Sequence, residues 1–162
     1  MKIKYVHTNI IAKDWQKVSL FYQNVFGCRP VPPARDLRGE WLDKLTGMKG
    51  AHLTGEHLTL PGYEGGLPTL EIFTYDNVTS GDLQAINSCG PAHLAFEVDD
   101  VPAILEKIKQ EGGGQLGELV KAAYPGGVTA TFVYARDVEG NIIELQSWEK
   151  EITANTQNSS AD

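Results

Sequence analysis

A chain of 162 residues that is 41% hydrophobic suits one compact domain, able to bury about two thirds of the surface its unfolded form exposes. A net charge of −7 with no Lys/Arg cluster argues against a nucleic-acid partner, and no apolar run approaches the roughly 20 residues of a membrane span. The N-terminus carries two lysines and reads as a strand rather than a signal peptide, and Cys28 and Cys89 form no CxxC pair. A cytoplasmic protein with free thiols is expected.

In chain order, residues 4–11 form an extended run carrying His7. Asp14 is placed to cap a helix whose apolar stripe is Trp15, Val18, Phe21, Tyr22, Val25 and Phe26, and Gly27 to stop it. Within residues 36–48, Leu37, Trp41, Leu42 and Leu45 suggest a short added helix. Residues 51–60 read as a strand bent at Gly55, and residues 69–75 as a strand with Glu71 among apolar neighbours. A linker spans 77–90. Residues 91–98 are again extended and carry His93. Asp100 caps a second helix with the stripe Val101, Ile104, Leu105 and Ile108, Pro102 in its first turn and glycines after its end. Residues 129–134 and 141–148 are strands joined by a turn at 137–140, the last one holding Glu144. The polar tail, residues 150–162, is expected to be disordered.

The order strand-His, helix, strand-Glu thus occurs twice. An offset of 86 residues superposes His7 on His93, Asp14 on Asp100 and Gly27 on Gly113. The fold class is α+β, with two paired βαβββ modules at about 3–76 and 91–148 in a single domain, residues 1–149. Strand alternation puts His7, Glu71, His93 and Glu144 on the faces away from the helices. A carboxylate between large apolar residues is costly to bury unless it is paired or metal-bound, so the four form a candidate metal-ligand set. Tyr5, Asn9, Phe73, Tyr75 and Gln146 share those faces and are candidate substrate-lining residues. His52 and His57 have no repeat partner and read as surface or rim histidines. Glu56 and Glu97 are possible cavity residues, and residues 124–127 a loop able to cover the site.

Four parts of the chain together carry a family resemblance: His7-Thr8 with Phe21-Tyr22 and Phe26-Gly27; Leu70-Glu71-Ile72; Gly90 to Asp100; and Arg136 to Leu145. They resemble the vicinal oxygen chelate superfamily, which includes glyoxalase I, methylmalonyl-CoA epimerase, extradiol dioxygenases and the fosfomycin and bleomycin resistance proteins. The resemblance implies paired modules forming a curved mixed sheet around a metal cup. The ligand order His, Glu, His, Glu is most similar to bacterial glyoxalase I. It implies one divalent ion (Ni, Co, Zn, Mn or Fe) on His7, Glu71, His93 and Glu144, with Glu144 or Glu71 as the base that takes a proton next to a chelated carbonyl. It also implies a small-molecule substrate with vicinal oxygens, and a homodimer. The alternatives are an epimerase, an extradiol-type dioxygenase and a small-molecule binding or resistance protein. Ile11 and Tyr75 stand where glyoxalase I carries a glutathione-binding arginine and an asparagine, so the co-substrate is left open.

Overall fold

The structure is a computed structural model, and it describes residues 1–150. The tail beyond Lys150, expected to be disordered, lies outside the described residues. In chain order the elements are β1 (His7–Ile11), α1 (Trp15–Phe26), β2 (Arg29–Arg38), α2 (Glu40–Thr46), β3 (His52–Thr59), β4 (Thr69–Tyr75), β5 (Leu94–Glu97), α3 (Val101–Gln110), β6 (Gly114–Tyr124), β7 (Val128–Arg136) and β8 (Ile142–Lys150). They build two four-stranded mixed sheets with matching strand orders, β1-β4-β3-β2 and β5-β8-β7-β6. In each, the first strand runs parallel to the last and the remaining pairs are antiparallel. The two βαβββ modules are therefore present, but as two separate sheets rather than one continuous curved sheet.

Local chemistry explains the helices. The Asp14 carboxylate accepts from the Lys17 amide and Asp100 from the Ala103 amide, while Gly27 ends α1 with a left-handed backbone. The stripes of α1 and α3 meet one inner face of each sheet in a shared core that includes Phe21, Tyr22, Leu70, Ile72, Ile108, Ile143 and Leu145. Side-chain contacts across this core join the halves, the Tyr22 hydroxyl to Asp137 among them. Phe26 stacks on Phe96 with ring centroids 3.9 Å apart, and the Glu139 carboxylate accepts from the Lys13 and Asp14 amides, both at 2.8 Å. The 76–93 link is tied down as well, since Arg136 donates to the Gln84 carbonyl at 2.8 Å.

Two strands that the βαβββ pattern requires were not located in the sequence, β2 and β6. Both lie at sheet edges and both carry a register break, between Val31 and Arg35 and between Leu116 and Val120. Prolines 30, 32 and 33 in β2 are tolerable only because an edge strand and a bulge leave their missing N–H groups without a partner to satisfy. The 124–127 segment, expected as a loop over the site, is the turn of the β6–β7 hairpin, with Tyr124 paired to Val128.

Candidate metal centre

The face of each sheet turned away from α1 and α3 carries the predicted ligands, and register fixes which side chains adjoin them. On sheet 1, Asn9, Glu71 and His57 lie side by side across β1, β4 and β3. His7 Nε2 is 3.3 Å from Glu71 Oε2, and His57 Nε2 is 3.1 Å from Glu71 Oε1. On sheet 2, Glu144 lies beside Tyr134 of β7, and His93, in the extended residues just before β5, has its Nε2 2.9 Å from Glu144 Oε2. The four candidates are thus brought together two by two, one His–Glu pair on each sheet. Among the described residues, no three His, Cys, Asp or Glu side chains surround a single point as metal ligands would.

Burial gives the pairs their character. The Glu71 and Glu144 side chains are 12% and 18% exposed. Among the described residues, neither has a Lys or Arg within ion-pair distance; each faces imidazole. A carboxylate so enclosed, with no Lys or Arg beside it among the described residues, is suited to a bound cation. Two hard oxygens and two borderline nitrogens match the donor set of a first-row divalent cation, and in that chemical sense the residues fit one.

His57 corrects the reading of it as a rim histidine. It is the third group beside Glu71, and its ring packs edge-on against Phe73 with centroids 5.7 Å apart. Burial, with help from the charges of Arg35 and His7, lowers its pKa against the opposing pull of Glu71, so the ring is neutral at pH 7. Its repeat counterpart is Tyr134, and the change of residue type hid the match. The signal was strand alternation read across the antiparallel partner instead of along the sequence. Burial, the Glu144 charge and a hydrogen bond to Glu144 raise the Tyr134 pKa, so the phenol keeps its proton. Arg35, also not anticipated, shares this face through its pairing with Gly55.

The remaining candidates divide. Asn9 Nδ2 donates to Glu71 Oε2 at 3.4 Å, a long contact. Tyr5 is exposed ahead of β1 and its hydroxyl pairs with Thr8 Oγ1. Phe73 and Tyr75 are on the expected face but are packed with Leu42, Ala51 and Leu53 in a second small core under α2, so they are not open lining. Gln146 accepts from the Trp148 indole N–H at 3.1 Å. Glu56 points the other way, to the helix side, where Ser19 of α1 donates to it. His52 is held between Asp36 and Asp76, away from the pairs.

A cavity of about 630 Å³ lies between the two halves, lined by residues that include Thr8, Leu70, Leu94, Glu97 and Gln146. None of the four ligand candidates lines it. His93 and Asn9 line a smaller one of about 180 Å³. Through Gln146, the large cavity adjoins the face that carries Glu144.

The comparisons with known proteins agree with this architecture. A glyoxalase family protein from Bacillus cereus superposes with a TM-score of 0.69 at 20% identity, over 91% of this chain and 94% of that one. A glyoxalase I mutant from Zea mays gives 0.63 at 22% identity, over 88% of this chain and 44% of that longer one. A genomically encoded fosfomycin resistance protein from Listeria monocytogenes, complexed with Mn(II) and sulfate, gives 0.54 at 19% identity, over 91% and 93%. No curated protein matches the sequence. The family model described as glyoxalase/bleomycin resistance protein/dioxygenase superfamily matches residues 4–145, and the chain belongs to that superfamily.

Proposed function

We propose that this protein is a metal-dependent isomerase or lyase of the glyoxalase I type, which moves a proton on the carbon next to a chelated carbonyl. The observation that supports it most is the duplicated His–Glu pair: two enclosed carboxylates, each facing imidazole and no basic side chain, at equivalent register in the two modules. His7, Glu71, His93 and Glu144 would hold the ion. When bound, a divalent metal supplies Lewis-acid polarisation of the substrate carbonyl.

The protein's own groups would do the rest. Glu144, with His93 at 2.9 Å and the Tyr134 phenol beside it, takes the proton from carbon and returns it to the neighbouring position. The Tyr134 hydroxyl donates its one proton to the Glu144 carboxylate and so orients it. Glu71, flanked by His7 and by neutral His57, serves as a ligand. A homodimer belongs to the same reading, because the pairs lie on separate sheets and a second copy would present the complementary pair.

The test is solvent deuterium exchange into 2-oxo thioesters and hemithioacetals, with and without added Ni, Co, Zn, Mn or Fe. Exchange that needs the metal and is lost in Glu144→Gln supports the reading. Oxygen uptake with catechols and no exchange would replace it with ring cleavage.

A further inference from the structure

The two halves treat equivalent surface differently. Across the repeat, the pair Glu71–His57 corresponds to Glu144–Tyr134, Phe73–Gly55 to Gln146–Phe132, and Tyr75–Leu53 to Trp148–Ala130. In the first half, the positions beyond the glutamate are closed. Helix α2 sets Leu42 against Phe73 and Leu53, and all three are buried. The second half passes directly from β6 to β7 through the 124–127 hairpin turn, where the first half inserts α2 between β2 and β3. Of its matching positions Ala130 is buried and Phe132 and Gln146 are half-buried, while Trp148 is 44% exposed and Tyr124 beside it 43%.

What remains there is a shelf of rings. Trp148 lies 5.1 Å from Tyr124 and 5.5 Å from Phe132, centroid to centroid. The Trp148 N–H is already satisfied by Gln146, so the shelf offers π faces and apolar edges rather than free donors. Among the described residues, Glu144 stands at its inner end, and Lys150 at its outer end in the row of Val128 and Tyr124. The plug in the first half shows which chemistry this surface accepts, since the same positions are filled there by an apolar side chain. At about 3.3 Å per residue, the shelf begins about 7 Å from Glu144, at Gln146, and reaches about 13 Å, at Trp148.

We infer that this shelf, formed by Phe132, Gln146, Trp148 and Tyr124, seats a planar, uncharged aromatic group of the substrate, carried about 7–13 Å from the oxygens held at Glu144. The inference rests on the proposed function only for which end holds the reacting oxygens. It gives the substrate an aryl or similarly flat apolar arm in place of an ionised carrier.

The test uses the full chain in EDTA, 15N-labelled, titrated with naphthalene-2-methanol and with its saturated analogue decahydronaphthalene-2-methanol. The naphthyl alcohol is expected to shift the Trp148 indole resonance and to bind severalfold tighter than the saturated compound. Trp148→Ala and Tyr124→Ala should each weaken it about tenfold, with thermal melting confirming that both variants fold. Unchanged affinity in the two variants, or equal binding of the saturated analogue, overturns the inference. So does loss of self-association in Trp148→Ala with no naphthyl binding by the parent protein, because the shelf is then a subunit contact. Metal uptake by the parent protein separates the two claims. Naphthyl binding by a parent that takes up no divalent metal keeps the shelf and removes the metal reading. Metal uptake without naphthyl binding does the reverse.

Discussion

His57 Nε2 stands 3.1 Å from Glu71 Oε1, on the opposite oxygen from the one that faces His7. The Glu71 carboxylate is therefore held from both sides, and its orientation depends on an imidazole that has no histidine counterpart in the second half. Groups that orient a metal ligand typically contribute 10–100-fold in affinity. His57→Ala is expected to weaken divalent-metal binding by about tenfold or more, measured by competition with a chromogenic chelator. Unchanged affinity would show that Glu71 is fixed without it.

Asp137 is 3% exposed and organises the β7–β8 turn. Its carboxylate accepts from the Glu139 amide at 2.9 Å, the Asn141 amide at 3.0 Å and Asn141 Nδ2 at 2.8 Å. Asp137→Ala leaves those donors unpaired, at a cost of about 3 kcal/mol of stability in urea unfolding. Tyr22→Phe loses only a long 3.4 Å contact to the same carboxylate and should cost about 1 kcal/mol.

Gly55 carries a close backbone approach. A Cβ there would lie 2.0 Å from the Ile72 carbonyl oxygen and 2.9 Å from Phe73 Cα. Neither is the end of a flexible side chain. Gly55→Ala must therefore part β3 from β4, at about 3 kcal/mol or more, read by thermal melting. A melting temperature within a degree or two of the parent would contradict this packing.

His52 links β2, β3 and the residue after β4 through Asp36 and Asp76, each at 2.9 Å. Hydrogen bonds to both carboxylates raise its pKa, the Asp76 bond contributing most. A raised folded value means that the stabilisation is fully present below the unfolded value of about 6.5 and is lost as pH rises through the folded value. Stability measured across that window should fall more in the parent than in His52→Gln. Parallel pH curves would remove the link.

Much of this was legible in the sequence because strands and helices repeat their chemistry. His7, Glu71, His93 and Glu144 could be placed on one kind of face because alternation in a strand is strict. Asp14, Gly27 and Asp100 marked helix ends by capping chemistry alone. The edge strands were hidden because bulges break their alternation and prolines imitate loop sequence, as at Pro32 and Pro33. Tyr134 and His57 were hidden for another reason. Their role comes from the strand beside them, and pairing between distant strands is not written in local spacing. Phe73 and Tyr75 lay on the expected face, but the inserted helix covers them, so the same alternation that found the ligands could not tell lining from core.

The central claim is that the two His–Glu pairs act together on one ion. Metal stoichiometry after equilibrium dialysis tests it directly, in the parent protein and in Glu71→Gln and Glu144→Gln. The account predicts one divalent ion per chain in the parent and loss of it in both variants alike. An ion retained in either variant, or no ion in the parent, would contradict it.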